Sequence, residues 1–149
     1  MPSVFARLVH VLMLFLLPLC AGAVWSVAIQ LSRRDLPWAA LAMPLVLLLM
    51  RGQLGFLTPN LRAALHGIAA GAGIVYAQAL ITGVRVAAQF GYGPVETLET
   101  MGAAMTWELV WLRSGAVDWI AALLAVALSV GIGLGHGRRG PRVTPRSGP

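Results

Sequence analysis

Residues 8–31 read LVHVLMLFLLPLCAGAVWSVAIQL, 24 positions in a row without a formal charge. A helix of that length spans a hydrocarbon core of about 30 Å. In lipid every backbone N–H and C=O must find a partner within the protein, which leaves helices and closed barrels as spanning structures. A rival reading is a secretory signal, with Arg7 as its basic head and Ala21-Gly22-Ala23 as its cleavage site. The apolar run continues past that site through Val24, Trp25, Val27, Ala28 and Ile29. Signal cores are shorter, so the expectation is a retained helix.

The rest of the chain has the same character. It is 58% hydrophobic and 11% charged over 149 residues, against about 25% charged residues in a soluble domain. That is too little charge to cover a water-soluble globule, and too much apolar surface for a disordered chain. The expected class is an all-α integral membrane protein with four transmembrane helices. The expected spans are residues 8–31, 36–50, 63–90 and 117–135, forming a bundle over 1–135. The second is short. Fifteen residues rise roughly 22 Å as a helix, and Asp35 with Pro37 reads as its N-cap and first turn. Thr58 and Pro59 read likewise for the third.

Between the third and fourth spans, Gly91-Tyr92-Gly93-Pro94 ends one helix. Beyond it Val95, Leu98, Met101, Met105, Leu109 and Leu112 recur at spacings of three and four. That periodicity predicts a short amphipathic helix over 95–113, lying at the membrane interface. Residues 136–149 are rich in Arg, Gly and Pro and read as a disordered cytoplasmic tail.

All eleven basic residues are arginine, and the acids are Asp35, Glu96, Glu99, Glu108 and Asp118. Four spans put both termini on one side. With the termini cytoplasmic, Arg7, Arg51, Arg62, Arg138, Arg139, Arg142 and Arg146 flank the inner face. Arg33, Arg34, Arg85 and Arg113 flank the outer one. Seven against four favours an inner (plasma) membrane with cytoplasmic N- and C-termini. The basic tail follows an apolar segment, so it reads as a lipid-facing flank and no nucleic acid is expected. Trp25, Trp38, Trp107, Trp111 and Trp119 then all fall toward the outer face.

Chemistry is sparse. Ionisable groups within spans are costly and are functional candidates by default. His10 and His66 enter their spans from the same side, and two facing imidazoles could hold a haem b. The alternative is a pair of histidines facing the interface, with no cofactor at all. Arg85 either snorkels outward or pairs with Glu96, Glu99 or Glu108. Gln30, Gln78 and Gln89 are candidates for interhelical hydrogen bonds. Pro18 and Pro44 fall mid-span, as hinges or as tolerated kinks. Single Cys20 permits no internal disulfide. There is no GxxxxGK[ST], no HExxH, and no acid in the middle of a span. No metal site and no catalytic residue are expected.

Gly67, Gly71, Gly131 and Gly135 make small faces on the third and fourth spans, suited to close helix contact. They would meet the chain's own bundle, other membrane-protein subunits or a second copy, with lipid covering the remainder. The leading functional expectation is therefore a non-catalytic accessory or scaffolding subunit of a larger membrane complex. The alternatives are a small oligomeric transporter or channel, and a haem-bearing redox anchor.

Overall fold

The computed structural model describes residues 4–135 except 33, 51 and 53. The expectation of a disordered tail falls on 136–149, outside the described residues. Those described fold as helices throughout: α1 (Val4–Ser32), a 3-10 turn (Pro37–Leu41), α2 (Ala42–Leu49), α3 (Pro59–Phe90), α4 (Pro94–Arg113) and α5 (Ala116–Leu134). Three of these, α1, α3 and α5, are long and apolar enough to cross a membrane.

Glycines set the two main seams. At the α1–α3 crossing, a Cβ on Gly22 would lie 2.8 Å from the Gly73 carbonyl oxygen. A Cβ on Gly73 would meet Pro18 at the same distance. Pro18 lies inside α1, where its ring removes a backbone hydrogen bond. It is buried against a position with no side chain. Ala77, four residues after Gly73, completes the contact with Gly22. At the α3–α5 crossing a Cβ on Gly133 would lie 2.5 Å from Ala63 Cα, and one on Gly67 would meet Val130.

These contacts fix directions. Residues 18–22 of α1 lie beside 73–77 of α3, while Arg7, near the start of α1, stands over the Phe56 ring just before α3 begins. Helices α1 and α3 therefore run parallel, and α5, which meets Ala63 with its last turn, runs opposite. The chain between them must return the length of the bundle. It does so through residues 34–58, burying Ala40, Met43, Pro44, Leu47 and Leu54 on the way. Among the described residues of this return only Pro37–Leu49 is helical, and it counts as a short apolar helix.

Local structure departs from expectation in two places. Asp35 does not cap the second helix: the cap position is Leu36, with no side-chain bond, and five residues of 3-10 precede α2. The Asp35 carboxylate is held elsewhere, by arginines of α3 and α4. In α4, Gly102 has φ 70° and ψ 171° and breaks the helix into two halves. The break resets the helical phase, so the apolar stripe of 95–113 is not one face. The buried residues are Thr97, Thr106 and Val110, while Val95, Met105 and Leu112 are exposed. Both halves pack principally on α3, with Leu98 lying over Gly83. The remaining ends follow local rules. Pro59 opens α3, Gly91 closes it at φ 75°, and the Asp118 carboxylate accepts the Gly115 N–H at the start of α5.

Candidate functional site

Polar chemistry gathers at the two ends of the bundle. At the end where α3 begins, Arg62 and His66 sit one helical turn apart on α3, 4% and 0% exposed. Arg62 Nε donates to the Gly133 carbonyl of α5 at 2.6 Å. The close approach of Gly133 to Ala63 makes that bond reachable. His66 Nδ1–H donates to the Arg62 carbonyl at 2.8 Å. Arg62 Nη2 and His66 Nε2 are both buried with no partner. His10, the second expected ligand, is half-buried, and its Nδ1–H donates to the Ala6 carbonyl. No hydrogen bond joins the two histidines among the described residues. Among those residues there is also no group of three or more His, Cys, Asp or Glu that could hold a metal ion.

At the opposite end, Asp35 Oδ1 takes Arg85 Nη2 at 2.5 Å and lies 3.8 Å from Arg113 Nη1. Arg113 also donates to Gln78 Oε1 of α3. Burial, and then the neighbouring Arg85 cation, pull the Arg113 guanidinium below its ordinary value. One carboxylate on the α1–α2 turn thus ties α3 and α4 together. Arg85 neither snorkels free nor reaches Glu96, Glu99 or Glu108. Gln78 makes the expected interhelical bond, while Gln30 and Gln89 are exposed. Sequence reasoning missed Arg113 and misassigned Asp35. The available signal was that Asp35 is the only acid before residue 96, while Arg85 and Arg113 have no acid within ten residues before them in the chain except Glu108.

Tryptophans cluster beside this network. Trp111 packs on Trp119 at 4.5 Å between ring centroids, and Trp107 meets Trp111 edge-on at 6.1 Å. Buried Trp25 donates its indole N–H to the Leu36 carbonyl at 3.1 Å, tying α1 to the return segment. A cleft of about 390 Å³ lies between the end of α3 and α4, with Glu96 in its wall.

Of the four small-face glycines, Gly67 is filled by Val130. A Cβ at Gly71, Gly131 or Gly135 meets nothing within 4 Å. Comparison with known proteins finds no matching family model, no similar curated protein and no similar solved structure.

Proposed function

We propose that this chain is a non-catalytic, multi-pass inner-membrane protein that serves as an accessory or scaffolding subunit of a larger membrane complex. The observation that carries the reading is the surface of α4. Val95, Met105, Trp107, Trp111 and Leu112 stand exposed on it, Leu112 at 83%. The same helix carries Glu96, Glu99 and Glu108, with no ion pair to any of them among the described residues. Three carboxylates keep α4 out of the hydrocarbon core, while its apolar side chains need cover. An interfacial position with a partner subunit against the tryptophans meets both demands.

In this reading residues 36–50 and their flanks make a fourth crossing, and α4 is the interfacial helix. Both termini are cytoplasmic. The flanking charge still favours that orientation: with buried Arg62 taken out of the inner count, six arginines stand against four. The open faces at Gly71, Gly131 and Gly135 are further contact positions.

Mild-detergent purification of the tagged chain, with mass spectrometry of what stays bound, tests the proposal. A second subunit in fixed ratio, lost with Leu112→Glu but retained with Leu123→Ala, is the expected result. A persistent homo-oligomer with no other subunit contradicts it and moves the assignment to a small transporter or channel. Solute flux into proteoliposomes then examines that alternative.

A further inference from the structure

The cleft between α3 and α4 has a lining that selects for one class of ligand. Its wall includes Val86, Phe90, Tyr92, Glu96, Met101 and Met105 around about 390 Å³. That volume lies within the range of small-molecule sites, about 300–1,000 Å³. Thr97 and Thr100 also border it, but their hydroxyls donate to the backbone carbonyls of Gly93 and Glu96 at 2.9 and 2.8 Å. What remains is one carboxylate, two aromatic rings, two thioethers and an aliphatic side chain. The cation that the sequence offered to Glu96 is Arg85, and Asp35 holds it. The Glu96 carboxylate has no ion pair or hydrogen-bond partner among the described residues.

A negative charge beside aromatic faces attracts cations. A small hydrated metal ion does not fit, since it needs several oxygen ligands and the cleft presents one carboxylate. A bulky cation with a shielded or delocalised charge does. Its apolar body can lie on Val86 and the polarizable methionines, which adapt to irregular shapes.

We propose that this cleft binds a bulky organic cation of the quaternary ammonium or phosphonium class, with its charge held between Glu96 and the Phe90 and Tyr92 rings. The proposal is independent of the scaffolding assignment.

Equilibrium dialysis of the full chain in non-ionic detergent tests it, with tetraphenylphosphonium and tetraphenylborate as probes. The two ions share size and shape and differ in sign, and micelles alone give the background. The expected result is saturable binding of one phosphonium per chain and none of the borate. Glu96→Gln weakens phosphonium binding about tenfold, as loss of one charge contact should, whereas Glu99→Gln leaves it unchanged. Met105→Trp fills the cleft, leaves the carboxylate in place, and also weakens binding. Equal or non-saturable uptake of the two ions overturns the proposal. So does wild-type affinity in Glu96→Gln, or, if that variant aggregates, wild-type affinity in Met105→Trp.

Discussion

Gly133 and Gly131 lie two residues apart on α5 and differ in what a methyl group would meet. At Gly133 it would meet Ala63 backbone at 2.5 Å; at Gly131 it would enter open space. Gly133→Ala should therefore destabilise the folded chain by about 1–3 kcal/mol, the usual cost of overpacking. It should also lengthen the Arg62 bond to the Gly133 carbonyl. Gly131→Ala should be close to neutral. Thermal unfolding of both variants in detergent separates them, and equal melting temperatures would contradict the α3–α5 seam. The histidines make a second contrast. His66 is enclosed, and His10 is not bonded to it. A reduced-minus-oxidised spectrum of protein from haem-replete cells should be flat in the Soret region. A Soret signal lost in His66→Ala would reverse that assignment.

Among the elements, α4 is the one whose shape depends on a single backbone angle. Gly102 at φ 70° and ψ 171° occupies a region that L side chains avoid, at a cost of about 1–3 kcal/mol. Gly102→Ala should favour a continuous α4, pulling Leu98 off Gly83 or Val110 off α3. Hydrogen exchange should then rise on one half of α4 and stay unchanged in α1. Uniform protection in the variant would count against the break. This element also marks where sequence reading ran out. The three long apolar helices were legible from uncharged runs, and Pro59, Gly91 and Pro94 marked α3 and α4 ends to within a few residues. A glycine between Met101 and Ala103 carries no local sign of whether it is helical or left-handed. Packing against α3 makes that choice. Asp35 was misread for a related reason. Its position before Leu36-Pro37 suits a cap, but its partners, Arg85 and Arg113, are 50 and 78 residues away. Periodicity does not encode a contact that depends on how three helices stack. The pairing of Gly22 with Gly73, and of Arg62 with Gly133, was invisible for the same reason.

At the scale of the molecule, parallel α1 and α3 oblige residues 34–58 to carry the chain back along the whole bundle. The helical part of this return is 13 residues, Pro37–Leu49. Its span of roughly 22 Å is shorter than a hydrocarbon core of about 30 Å. The proposed fourth crossing therefore also needs the half-apolar stretch around Leu54, Phe56 and Leu57, of which Leu54 is buried in the core. In the proposed topology Ser32 and Gly93 lie on one face of the membrane and Thr58 on the other. Single cysteines test this most directly. In a Cys20→Ser background, Ser32→Cys, Gly93→Cys and Thr58→Cys are each treated with a membrane-impermeant maleimide in sealed vesicles of known orientation. Ser32→Cys and Gly93→Cys should label from one side and Thr58→Cys only from the opposite side. Labelling of all three from the same side would contradict it.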